Sequence, residues 1–136
     1  MIAGAFGPQS VMQVAIVDDD AGVRGALGRL LRVTGYKVQT YASAEEFLEA
    51  GRPDELDCMI VDVYLSGMSG SDLHAELTVG GHAPPTVLVT AHDDATITAM
   101  LRRSEDVICL RKPFDEASLL LAIGCVTGHL DEAGTE

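Results

Sequence analysis

The 136-residue chain predicts an α/β domain built on a doubly wound parallel sheet. Two observations carry that prediction. Strand-like segments, most of them short apolar runs rich in Val and Ile, recur five times, each followed by a stretch of helical spacing; strands that alternate with helices build a parallel sheet with a helix in each crossover. Two of the runs also end in aspartate: Val14-Ala15-Ile16-Val17 leads into Asp18, Asp19 and Asp20, and Cys58-Met59-Ile60-Val61 into Asp62. A strand buried on both faces reads as a continuous apolar run. A carboxylate at its last position then stands at the C-terminal edge of the sheet, where open α/β sheets bind ligands.

Residues 1–10, with Gly4, Gly7, Pro8 and polar Gln9-Ser10, are expected to form a flexible lead before the domain proper at 11–130. The first strand covers about Met12 to Val17. A helix from Ala21 to Val33 follows, with Asp20 available as its N-cap and Val23, Leu27, Leu30 and Leu31 on one face. Gly35 stands just past its end, where a left-handed residue closes a helix. Lys37 to Tyr41 is the second strand; Tyr36, Val38 and Thr40 alternate with polar neighbours, as on a sheet edge. Ser43-Ala44-Glu45-Glu46 is a capping box that opens a short helix closing near Gly51.

Cys58 to Asp62 is the third strand, and the turn Ser66-Gly67-Met68-Ser69-Gly70 lets Ser69 cap a helix of about Ser71 to Thr78. Gly80-Gly81 and Pro84-Pro85 bracket the way to a fourth strand, Thr86 to Thr90. A helix over about Asp94 to Arg103, a fifth strand over Val107 to Leu110 and a final helix over about Glu116 to Leu130 complete five strands and five helices. The tail 131–136 is acidic. No internal repeat or interior linker divides the chain, so it reads as one domain.

Apolar residues make up 47% of the chain and aromatics 4%, so the core must be aliphatic. The formal net charge is -12, from 21 acidic and nine basic residues. Such a surface repels phosphate backbones and anionic headgroups, which speaks against direct nucleic-acid or membrane binding. The densest basic spots are only Arg102-Arg103 and Arg111-Lys112. Cys58, Cys109 and Cys125 lie in apolar stretches without CxxC spacing and are expected to be buried, reduced thiols. The N-terminus has no positively charged n-region and no long apolar core, and no apolar run approaches a membrane span. A cytoplasmic protein is expected.

Four strand ends carry the chemistry: Asp18-Asp19, Asp62, Thr90 and Lys112, all at one edge of a parallel sheet. Two carboxylates about 4 Å apart repel by about 4 kcal/mol at an effective dielectric near 20. Such a cluster needs a cation or retained protons. Lys112 supplies one positive charge, and hard, oxygen-seeking Mg²⁺ supplies two more. With the Thr90 hydroxyl as a donor, the set suits phosphoryl transfer to a carboxylate nucleophile. Neither GxGxxG nor GxxxxGK[ST] occurs, so nucleotide binding of those kinds is disfavoured.

The segments Val17-Asp18-Asp19-Asp20, Ile60-Val61-Asp62, Val89-Thr90-Ala91 and Arg111-Lys112-Pro113-Phe114 resemble, in order and spacing, the receiver domain of bacterial two-component response regulators. The likeness is greatest to the branch that precedes LuxR-type DNA-binding domains. The resemblance implies a flavodoxin-like fold of strand order 2-1-3-4-5. It implies Asp62 as phosphoacceptor, supplied by a histidine kinase or phosphotransfer protein, and Asp18, Asp19, Asp62 and the Tyr64 backbone carbonyl as Mg²⁺ ligands. It further implies that Thr90 bonds a phosphoryl oxygen, that Lys112 pairs with it, that Ala91 leaves it room, and that Pro113 follows a cis bond. The implied role is a switched partner-binding surface for transcriptional control, with a possible homodimer through the fourth helix and fifth strand.

Three positions depart from that family. Leu65 and Ser66 replace its common Met-Pro, which should loosen the loop after Asp62. Cys109 replaces the usual Tyr or Phe three residues before the Lys, so output must bypass the usual Thr–aromatic coupling. Tyr64 and His92 sit where the family tunes dephosphorylation, and a bulky Tyr64 could shield the acyl phosphate. His74, His82 and His129 show no ligand spacing and are expected to be exposed. The competing reading is a pseudo-receiver acting as a constitutive protein-binding module. An enzyme of the haloacid-dehalogenase type, with an Asp nucleophile, is disfavoured: Tyr64 stands where its second Asp belongs, and there is no cap domain.

Overall fold

A computed structural model describes residues 11–91 and 106–128. In chain order these form β1 (Gln13–Val17), α1 (Ala21–Thr34), β2 (Lys37–Tyr41), α2 (Ala44–Ala50), a 3₁₀ turn (Pro53–Glu55), β3 (Cys58–Asp62), α3 (Gly70–Val79), β4 (Thr86–Thr90), β5 (Val107–Arg111) and α4 (Glu116–Val126). The lead at 1–10, the helix expected over 94–103, His92, His129 and the tail at 131–136 lie outside the described residues. Among the described residues four of the five expected α-helices are seen.

The sheet is parallel throughout, in the order β2-β1-β3-β4-β5, as the resemblance implied. Period-2 alternation sorts the strand residues onto two covered faces. Val14, Ile16, Cys58, Ile60, Val87 and Val89 face one way and bury with Leu31 of α1 and Leu119 and Ile123 of α4. Ala15, Val17, Met59, Val61 and Leu88 face the other way and bury with Phe47 of α2 and Leu73 and Leu77 of α3. With helices on both sides, β1, β3 and β4 must be apolar at nearly every position, which is why they were legible as unbroken runs.

The helix ends follow local chemistry. Asp20 accepts from the Val23 amide at 3.0 Å and caps α1; Gly35, at φ 116°, closes it in the left-handed region open to glycine. Ser43 accepts from the Glu46 amide at 2.9 Å, but Glu46 reaches back to the Ala42 amide rather than to that of Ser43. α3 begins at Gly70, one residue earlier than its spacing suggested, capped by Ser69.

Some expectations fail. In β2 the alternation stops at Val38: Thr40 is exposed, while Tyr41 turns to the other face and meets the Phe47 ring edge-on at 5.1 Å. His74 is buried, because the inward stripe of α3 runs through Gly70, Leu73, His74 and Leu77. Among the cysteines only Cys58 is buried. Cys109 is partly covered, and Cys125 is exposed because it lies one turn beyond exposed Leu121 on the outer side of α4.

Candidate functional site

β1 and β3 are neighbours, with Val17 opposite Val61, so the residues that follow meet at one edge. Oxygens of Asp18, Asp19 and Asp62 lie within 4.8 Å of one another. Asp18 is buried at 3% exposure, Asp19 is exposed and Asp62 lies between. The Asp20 amide donates to Asp18 Oδ1 at 2.9 Å, and the Arg24 guanidinium donates to the Asp18 carbonyl at 2.7 Å. Asp20 itself turns away to cap α1, so it is outside the cluster, as its position suggested.

Lys112 enters from the end of β5. Its Nζ is 3.2 Å from Asp62 Oδ2 and 3.9 Å from Asp18 Oδ2. Its backbone is fixed by an amide hydrogen bond to the Thr90 carbonyl at 2.8 Å, which ties the ends of β4 and β5 together. The Lys112–Pro113 peptide bond is cis. Thr90 is buried at the end of β4, one residue beyond Val89, which pairs with Asp62. The structure thus gathers Asp18, Asp19 and Asp62, pairs Lys112 with Asp62 and Asp18, and sets Thr90 at the same edge.

Burial is the main force on Asp18, holding its carboxyl above the usual carboxylate range; the Asp20 amide pulls it down, nearby Asp62 pushes it up and Lys112 pulls it down again. Among the described residues, Lys112 pairs with two of the three clustered carboxylates, Asp62 and Asp18, which leaves an excess of negative charge. That imbalance, with oxygen-only donors at short range, fits a hard divalent cation such as Mg²⁺.

The loop between β3 and α3 completes the pocket. The Tyr64 amide donates to Asp62 Oδ1 at 3.0 Å, and Tyr64 itself is half exposed. Ser66 donates to Asp19 Oδ2 through its amide (3.1 Å) and its hydroxyl (3.3 Å). The Met68 amide donates to Glu45 Oε2 at 2.8 Å, a bond that holds the Glu45 carboxyl below the usual range. Ser66, Glu45 and Arg24 were not picked out as site residues from the sequence. Their partners are distant or on the backbone, and no local spacing signals such contacts. Cys109 packs against the core face that carries Leu88 and Val107.

A five-stranded sheet of order 2-1-3-4-5 with this acidic edge defines a flavodoxin-like α/β module. Residues 14–124 match the response regulator receiver domain. Transcriptional regulatory protein FixJ of Azorhizobium caulinodans is 33% identical over 129 residues, which is 95% of this chain and 61% of that protein. Nodulation protein W of Bradyrhizobium diazoefficiens is 35% identical over 114 residues, 84% of this chain and 50% of the relative. Response regulator StyR superposes with a TM-score of 0.74 at 36% identity, covering 92% of this chain and 64% of that one. Chemotaxis protein CheY4 of Vibrio cholerae shares the fold, with a TM-score of 0.77 at 24% identity over 85% of this chain and 98% of its own. The chain belongs to the response regulator receiver domain family. It spans between half and about three fifths of the length of these two curated relatives. Among the described residues no helix is long and apolar enough to cross a membrane.

Proposed function

We propose that this chain is a phosphoacceptor receiver in which Asp62 takes a phosphoryl group from the phosphohistidine of a histidine kinase or phosphotransfer protein. The observation that carries this reading is Asp62 at the end of β3, 3.2 Å from Lys112 and within 4.8 Å of Asp18 and Asp19. An Asp62 oxygen attacks phosphorus, an O–P bond forms as the donor's N–P bond breaks, and the histidine leaves with a proton. Lys112 pairs with the incoming phosphoryl oxygens, and the Thr90 hydroxyl donates to one of them. Asp18, Asp19, Asp62 and the Tyr64 carbonyl hold Mg²⁺, which when bound neutralises phosphoryl oxygens. Half-exposed Tyr64 stands two residues from the acceptor and shields the acyl phosphate from water.

The phosphorylated protein switches a partner-binding surface, and by analogy with FixJ, whose name describes a transcriptional regulatory protein, the output is transcriptional control. The face proposed for a homodimer is β5 together with the segment 94–103, for which the sequence predicts a helix. A net charge of -12 argues against direct contact with nucleic acid or membrane, and the chemistry belongs in the cytoplasm. The constitutive-module reading drew on Ser66 and Cys109; Ser66 instead fastens Asp19, and no observation now favours that reading. Incubation with Mg²⁺ and acetyl phosphate, followed by intact mass measurement, should show a gain of one phosphoryl group that Asp62→Asn abolishes. An unchanged wild-type mass overturns the proposal.

A further inference from the structure

The residue four beyond the acceptor, where the family commonly has proline, is Ser66, and it offers two donors that proline lacks. Both converge on one oxygen, Asp19 Oδ2, from the amide at 3.1 Å and the hydroxyl at 3.3 Å. Two residues on, the Met68 amide is taken by Glu45 Oε2 at 2.8 Å. Between them Gly67 adopts φ +80°, and a Cβ there would lie 2.7 Å from Glu45 Oε2. The loop is therefore strapped at both ends by carboxylates, one after β1 and one in the first turn of α2. These hydrogen bonds stand where the family has ring rigidity and oppose the loosening expected from the missing proline.

Asp19 is the most exposed of the three clustered carboxylates, and an exposed side chain loses rotamer freedom when it ligates. Two donors on one oxygen fix that carboxylate in advance and leave its other oxygen for a cation. Hydrogen-bond partners behind a ligand commonly change metal affinity by 10–100-fold. We infer that Ser66 is a positioning residue for the cation, holding Asp19 ready to ligate through its amide and hydroxyl together. The inference rests on the reading of the acidic pocket as a divalent-cation site.

Calorimetric titration of the metal-free full chain with Mg²⁺ tests it, alongside melting curves in chelator. Ser66→Thr, which keeps both donors, should bind as the wild type does. Ser66→Ala, which loses the longer bond, should bind a few-fold more weakly, and Ser66→Pro, which loses both, about tenfold more weakly. The metal-free melting midpoint of Ser66→Ala should stay at the wild-type value, which separates positioning from mere loop stability. Equal or tighter binding by Ser66→Ala and Ser66→Pro overturns the inference while leaving the cation site standing. Failure of the wild type to take up Mg²⁺ overturns both.

Discussion

His74 shows how one buried side chain couples stability to pH. Burial among the inward residues of α3 pushes its imidazole below the usual histidine range, with nearby Asp106 acting in the opposite direction. A histidine whose folded value is depressed binds fewer protons folded than unfolded. Its contribution is therefore intact above about pH 6.5 and is lost as pH falls from there toward the folded value. Urea unfolding at pH 7.5, 6.5 and 5.5 should show the wild type losing more stability across that range than His74→Leu does. Parallel curves would mean that His74 is not the sensor. At this scale the sequence was a mixed guide. Asp18, Asp19, Asp62 and Lys112 were legible because strand-end position is a local property. The burial of His74 and the exposure of Cys125 were not, because which side of a helix faces the sheet depends on the docking of the whole element.

At the scale of elements, the start of α3 is set by contact rather than by propensity. A Cβ on Gly70 would lie 2.3 Å from the Asp62 carbonyl oxygen and 2.8 Å from Val61 Cγ1, and the Gly70 amide donates to the Val63 carbonyl at 2.9 Å. Glycine lets the helix begin against the end of the acceptor strand. Gly70→Ala should destabilise the fold by about 1–3 kcal/mol, as overpacking does, and shift the urea midpoint accordingly. A midpoint within error of wild type would show that the backbone yields freely. The β-strands were read with bounds within one residue at either end, and for β1, β3 and β4 the reason is burial on both faces, which makes each a nearly unbroken apolar run. The helix caps at Asp20, Ser43, Ser69 and Asp115 depend on side chains reaching amides three residues ahead. The first three were read directly. The turn at 66–70 was read as well; its anchoring escaped, since the anchors, Asp19 and Glu45, come from the end after β1 and from α2.

Across the whole molecule, charge balance at the pocket governs how folding and ion binding are linked. Lys112 pairs with two of the three clustered carboxylates, and Mg²⁺ at a hundred times its dissociation constant should stabilise the fold by about 2.7 kcal/mol. Lys112→Ala removes the resident positive charge. The metal-free protein should then lose roughly 1 kcal/mol, and the rise in melting temperature on adding Mg²⁺ should exceed that of the wild type, because a more negative pocket holds the cation more tightly. Differential scanning fluorimetry with Mg²⁺ and with chelator measures both effects. A smaller Mg²⁺ response in Lys112→Ala would mean that the lysine does not compete with the ion. By itself the sequence determined the element order and the parallel α/β class, along with the residues that end the strands, because periodicity and caps are written in near neighbours. Only the tertiary structure decided which side chains support those ends, Ser66 on Asp19 and Glu45 on Met68 among them. Such contacts join residues 47 and 23 positions apart, and folding alone creates that proximity.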